Sequence, residues 1–160
     1  MKPNDVVVPA AQQHFYDRFH FAPAVRAGEL LLCSGQIGAG PDGRPPADPE
    51  AQFVAAFEQV KAVLAEAGLS FSDVVELSTF HVGMQHLQTF AAVKDRYVSA
   101  PYPAWTAIGV SELAFPGGLV EVRATARLPG GRTARAPAAK PKRRAAKRGA
   151  SARGSGRKRR

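Results

Sequence analysis

Within residues 119–128, LVEVRATARL, apolar and polar side chains alternate strictly from Val120 onward. One side carries Val120, Val122, Ala124, Ala126 and Leu128, and the other carries Glu121, Arg123, Thr125 and Arg127. A period of two with one apolar side predicts a β-strand that has one face on a hydrophobic core. The chain must therefore supply a second layer to cover that face, and it leaves the face of Glu121 and Arg123 open.

The covering layer is predicted between Asp48 and Gly68. The apolar residues of this segment recur at spacings of 4, 3, 4 and 3, and they are Phe53, Phe57, Val60, Leu64 and Ala67. That spacing places them on one face of an α-helix packed against a sheet. Asp48 can cap the helix, Pro49 suits its first turn and Gly68 suits its end.

The remaining elements complete an α+β fold. Two short apolar runs around Ala27–Gly28 predict a hairpin, 73–82 and 105–110 predict strands, and 86–98 predicts a second helix. The order ββαβαββ indicates a mixed sheet with two helices on one face. We expect the uncovered face to be an oligomer interface, with any site at the seam between subunits.

Charge divides the chain into unlike parts. Residues 1–131 hold 9 Lys+Arg and 13 Asp+Glu, a net charge of 9 − 13 = −4, whereas residues 132–160 hold 13 Lys+Arg and no acid. We predict an N-terminal arm, loosely held, over residues 1–16, a folded domain over 17–131 and a disordered basic tail over 132–160.

The tail is a candidate for non-specific nucleic-acid binding through counterion release. The residues that would carry it are Lys140, Lys142, Arg143, Arg144, Lys147 and Arg148. The alternative, a low-complexity extension without a function, has equal weight.

Composition favours a cytoplasmic protein, and the spacing of its histidines predicts no metal site. Cys33 is the sole cysteine, so an intrachain disulfide is excluded and a small buried residue is the favoured interpretation. The N-terminus lacks the apolar core of a signal peptide, and no run predicts a membrane helix. His81 and His86 are five residues apart, which is not a metal-ligand spacing.

Three stretches together give the chain a family resemblance. AVRAGELLLCSGQIG, VLAEAGLSFSDVVELSTFHV and PAWTAIGVSELAFPGGLVEVRATA resemble the RidA (YjgF/YER057c) enamine/imine deaminase family over about residues 18–128. The resemblance implies a chorismate-mutase-like fold, a homotrimer and a small-molecule cleft between subunits, without a cofactor. In the best-known branch, the 2-iminobutanoate/2-iminopropanoate deaminases, 2-enamine or 2-imine acids are hydrolysed to 2-oxo acids and ammonia.

Part of the family's site is present in this sequence. The glutamate that positions the attacking water matches Glu121, and the serine-glycine pair after the second strand matches Ser34 and Gly35. The resemblance therefore implies that Glu121 is catalytic and that Ser34 and Gly35 line the substrate.

Other family positions carry different residues here. Phe21 replaces a tyrosine, Ala107 replaces a cysteine, and Lys94 stands where the family has an asparagine. Trp105 occupies the position of the arginine that clamps the substrate carboxylate. An indole has one N–H donor and a wide apolar face, so it cannot replace the two-pronged guanidinium. Activity on small 2-iminoacids is therefore expected to be poor.

The substitution leaves several interpretations open. The ligand lacks a carboxylate, or is larger and flatter, or another cation replaces the arginine; Arg123 is the first candidate, with Lys94, Arg26 and Arg96 behind it. Trp105 is equally compatible with a core or interface position. Three functional hypotheses follow: a hydrolase of reactive C–N metabolites, a non-catalytic small-molecule-binding trimer, and a nucleic-acid-associated protein.

Overall fold

A computed structural model describes residues 2–40 and 43–130. Within them the strands are β1 (Val6–Val7), β2 (Ala24–Ala27), β3 (Leu30–Cys33), β4 (Gln36–Ile37), β5 (Val74–Val82), β6 (Ala104–Val110) and β7 (Val120–Arg127). The α-helices are α1 (Gln13–Phe19), α2 (Pro49–Glu66) and α3 (Leu87–Lys94).

The strands form one mixed sheet with β7 near its centre. Its order is β1-β2-β3-β7-β5-β6, and the short β4 also pairs with β7. Only β5 and β6, which are joined by α3, run parallel among these described pairs. The ββαβαββ core and the α+β class predicted from the sequence are confirmed.

Helix α2 forms as its end signals predict. The Asp48 carboxylate accepts a hydrogen bond of 2.8 Å from the backbone N–H of Ala51, and Pro49 opens the helix. After the helix Gly68 adopts a φ of +78°, a conformation that favours glycine. Phe53, Phe57, Val60 and Leu64 are fully buried against the sheet. The second predicted helix is α3, which ends at Lys94 rather than at residue 98.

The two faces of the sheet differ as the alternation predicts. Val120, Val122, Ala124 and Ala126 of β7 are fully buried on the helix-covered side. Glu121 and the other odd-numbered positions of β7 are partly or fully exposed on the open side. We call these the helix-covered face and the open face.

The N-terminal residues are more ordered than the loosely held arm predicted for residues 1–16. Val6–Val7 extend the sheet by pairing with β2, and the Val7 side chain is buried. The Gln12 amide donates a hydrogen bond of 2.8 Å to the Gln36 side-chain oxygen, which ties this segment to β4. Strand β1 has only two residues and no alternation of its own, so its pairing with β2 is what keeps it in the sheet.

The basic tail predicted to be disordered, with its six nucleic-acid candidates, lies outside the described residues. Among the described helices, none has the length and apolar character needed to cross a membrane.

Candidate functional site

The Glu121 carboxylate lies directly over the backbone of Gly35 on the open face. A β-carbon added at Gly35 would meet Glu121 Oε1 at 1.7 Å and Cδ at 2.4 Å. No side chain in residues 2–40 or 43–130 hydrogen-bonds to this carboxylate. Partial burial raises the pKa of Glu121 above its ordinary value, because desolvation disfavours the charged form. A carboxyl group in this state can exchange protons closer to neutral pH.

An extra residue between β3 and β4 brings Gly35 to this position. Leu32 pairs with Thr125 and Gln36 pairs with Val122, so three residues on one side face two on the other. Such an insertion bends the strand and redirects its side chains. Ser34 braces the bend, since its hydroxyl donates to the carbonyl of Ala22 at 2.7 Å.

The same hydrogen bond places Phe21 next to this bend. Phe21 is 41% exposed, and its ring stacks on Phe15 with centroids 6.0 Å apart. Arg123 lies two residues from Glu121 on the same face of β7 and is exposed. We call this group the carboxylate half-site, consisting of Phe21, Ser34, Gly35, Glu121 and Arg123.

Trp105 lies on the helix-covered face, at the outer edge of the sheet. It pairs in register with the fully buried Leu77, and its ring contacts Phe90 of α3 with centroids 5.9 Å apart. Its Nε1–H donates a hydrogen bond of 3.0 Å to the Thr79 hydroxyl. The residue is still 38% exposed, so part of the ring surface is accessible.

Lys94 joins the same cluster from the last turn of α3. Its Nζ lies 5.0 Å from the Trp105 ring centroid, a distance at which an ammonium is attracted to an aromatic face. We call Trp105, Lys94, Phe90 and Thr79 the indole half-site.

The two half-sites lie on opposite faces of one protomer. In the sheet register Trp105 of β6 pairs with Leu77 of β5, and Leu77 pairs with Ala124 of β7. Ala124 is three residues from Glu121 along β7. With strands ~4.8 Å apart and ~3.3 Å per residue, the Cα atoms of Trp105 and Glu121 are about 14 Å apart. A single protomer therefore does not bring the predicted site residues into one pocket.

Other candidates have structural roles. Burial raises the pKa of the Cys33 thiol to about 12, an effect only partly opposed by Arg123, so this thiol is no nucleophile at neutral pH. Arg26 reaches the carbonyl of Ala67 at 3.5 Å, and Arg96 pairs with Glu50 at 2.6 Å. In the described part of the chain no group of three or more His, Cys, Asp or Glu side chains could hold a metal.

Sequence reasoning missed how Thr79 and His81 support the indole. The Thr79 hydroxyl lies 2.8 Å from His81 Nε2, and the His81 ring packs edge-on against Phe90. Burial lowers the pKa of His81, because the imidazolium would be desolvated. The alternation of β5 with Leu77 could have placed both residues on the helix-covered face.

Comparisons with known proteins agree with this fold. A solved structure of protein YJGH superposes with a TM-score of 0.71 at 36% identity and covers 78% of this chain and 95% of that one. The RutC family protein YjgH of Escherichia coli (strain K12) is 37% identical over 131 residues, which is 81% of this chain and 98% of that protein.

A second relative from Escherichia coli (strain K12) is described as a 2-iminobutanoate/2-iminopropanoate deaminase. It is 32% identical over 100 residues, which is 58% of this chain and 76% of that protein. The family model described as Endoribonuclease L-PSP matches residues 12–128. The chain therefore belongs to the Endoribonuclease L-PSP family, the group that includes the RidA and YjgF proteins.

Proposed function

We propose that this protein hydrolyses reactive imines or enamines, with Glu121 as the group that positions and activates water. The observation that carries the proposal is the Glu121 carboxylate, half-buried against Gly35 with a raised pKa. The deaminase relative supports the same class of chemistry.

One carboxyl group can serve both proton transfers of this reaction. As a general base, ionised Glu121 takes a proton from water while the water oxygen bonds to the imine carbon. The protonated carboxyl returns this proton to nitrogen, which gives a neutral carbinolamine, and the carboxylate then transfers the hydroxyl proton of the carbinolamine to nitrogen in the same way. The C–N bond breaks, a carbonyl forms and ammonia leaves, so one imine and one water give one carbonyl compound and one ammonia.

The complete site requires a second copy of the chain, and we propose a homotrimer. The two half-sites lie on opposite faces of one protomer, so head-to-tail contacts that close into a ring can join each carboxylate half-site to a neighbour's indole half-site. The open face also carries partly exposed apolar side chains on β5 and β6, namely Phe80, Val82, Ile108 and Val110. Such a patch is suited to burial between subunits.

The proposal is tested by ammonia release from imines generated in situ by an amino-acid oxidase, with the full chain and two variants. Glu121→Gln should lower kcat/KM by about 10²–10⁴-fold, the usual contribution of general acid–base catalysis. Glu29→Gln is the matched control, because Glu29 lies exposed in the turn between β2 and β3. Turnover by Glu121→Gln at the wild-type rate would refute the assignment.

A non-catalytic small-molecule-binding trimer is the second candidate, favoured by the absence of the family's arginine at position 105. This hypothesis predicts that a metabolite quenches Trp105 fluorescence saturably. The same metabolite should not be converted to product, even at high protein concentration. Ammonia release dependent on Glu121 would eliminate it.

Nucleic-acid binding stays a prediction that rests on the 13 positive charges of residues 132–160. Deleting these residues should abolish binding, and the affinity of the full chain should fall steeply with salt. Unchanged affinity after deletion would place the contact on the folded domain. A cytoplasmic location is likewise a prediction.

A further inference from the structure

The indole of Trp105 has no polar atom to offer a ligand. Its single N–H is committed to the Thr79 hydroxyl at 3.0 Å. Thr79 is itself held by contacts to His81 Nε2 at 2.8 Å and to the carbonyl of Thr106 at 3.3 Å. What Trp105 presents outward is therefore apolar ring surface, which selects flat and hydrophobic ligand groups.

A cation lies over the indole ring. Phe90 and Lys94 are one helical turn apart on α3, and both contact the indole, Phe90 at 5.9 Å between centroids and Lys94 through its ammonium at 5.0 Å. The Lys94 side chain is only 12% exposed, so its position is defined by packing. The cation and the ring surface are thus held in a constant relative position.

The present partner of Lys94 is replaceable. Its ammonium pairs with the carboxylate of Asp95, whose side chain is 66% exposed. The exposed Asp95 carboxylate gains hydration when it is released, and a ligand carboxylate in its place keeps the mostly buried ammonium of Lys94 paired. A ligand carboxylate can therefore take the place of Asp95 at small cost while Asp95 turns into solvent.

We infer that Lys94 and Trp105 together recognise a planar aromatic carboxylate, with the ammonium binding the carboxylate and the indole surface binding the ring. This inference rests on the proposed function, for which it names the substrate class as imines or enamines of aromatic acids rather than short aliphatic ones. It also identifies Lys94, which contacts the indole within the same protomer, as the cation that replaces the family's arginine.

The test uses benzoate and benzamide, which differ in charge but hardly in shape, with the fluorescence of the single tryptophan as readout. Benzoate should quench saturably, and benzamide should bind about tenfold more weakly or worse, since only the carboxylate forms a charge-assisted hydrogen bond with the ammonium. Lys94→Met should weaken benzoate binding by a similar factor and leave benzamide unchanged. Asp95→Asn should strengthen benzoate binding, because it removes the competing anion.

Lys61→Met is the matched control, since Lys61 is an exposed lysine of α2 and should not affect either probe. Equal binding of benzoate and benzamide, or wild-type benzoate affinity in Lys94→Met, would overturn the inference. Benzoate binding without any imine hydrolysis would refute the proposed function and leave this recognition intact. Hydrolysis of aliphatic and aromatic imines at equal rates, without benzoate binding, would do the reverse.

Discussion

Replacing Gly35 by alanine should displace the Glu121 carboxylate without disturbing the fold. The added β-carbon would lie 1.7 Å from Glu121 Oε1, whereas ordinary contact begins near 3.4 Å. The clash involves the flexible side chain of Glu121 from Cγ, at 2.6 Å, to the carboxylate, and Gly35 is not among the described glycines with positive φ. Glu121 must therefore move while the backbone stays in place.

The required displacement sets the size of the effect. The carboxylate oxygen has to shift by about 1.7 Å, the difference between those two distances. A misplacement of ~1 Å in a reacting group can cost ~10²-fold in rate. We therefore expect kcat/KM of Gly35→Ala to fall at least about 100-fold, equivalent to about 2.7 kcal/mol of transition-state stabilisation. Thermal stability should stay equal or rise, because alanine reduces the conformational entropy of the unfolded chain, an effect that stabilises a protein by about 0.4–1 kcal/mol.

The assay is ammonia release by wild type, both single variants and the double variant Gly35→Ala/Glu121→Gln. If Gly35 acts only through the carboxylate, the double variant should be no slower than Glu121→Gln alone. A Gly35→Ala protein that is folded and within about threefold of wild-type activity would show that the position of Glu121 over Gly35 is irrelevant to catalysis.

Two further predictions concern stability. Because burial raises the pKa of Glu121, the folded chain holds this proton more tightly than the unfolded chain, and the contribution of this carboxyl to the free energy of unfolding is largest at low pH and falls as pH rises through the folded pKa. Urea denaturation should therefore show Glu121→Gln gaining stability relative to wild type between pH 4 and pH 7. A stability difference that does not change with pH would contradict the raised pKa. In the same urea measurements, Thr79→Val should lower the free energy of unfolding by about 1–3 kcal/mol, because it leaves the buried His81 nitrogen and the Trp105 N–H without a partner. Thr106→Val, on the exposed side of β6, is the control. Equal stability of the two variants would refute the role of Thr79.

The sequence predicts the elements that carry their own periodicity. β7 alternates over its full length and α2 has an apolar stripe with a capping aspartate, so both were predicted to within a few residues. β1 and β4 consist of two residues each and depend on pairing with β2 and β7, so no local sequence pattern predicts them. α1 has no buried residue and therefore no apolar stripe to detect.

The candidate site divides in the same way. The alternation of β7 places Glu121 on the open face, but Glu121 and Gly35 were predicted as site residues only through the family resemblance. The side of the sheet on which Trp105 lies could not, because WTAIGV has no polar alternation and only the register with Leu77 decides it. The partners of the indole come from β5 and α3, which are distant in sequence, and they become evident only when those elements pack together.

The central claim is that each site is completed by two copies of the chain, and mixed oligomers test it most directly. Glu121→Gln removes the acid from one half-site and Trp105→Ala removes the indole from the other, so each variant alone should be inactive. When the two are co-expressed in equal amounts and assemble at random into trimers, about one quarter of the interfaces should join two intact half-sites. The account predicts that activity returns to about a quarter of the wild-type value. No recovered activity in mixed trimers, or full activity in Trp105→Ala alone, would contradict it.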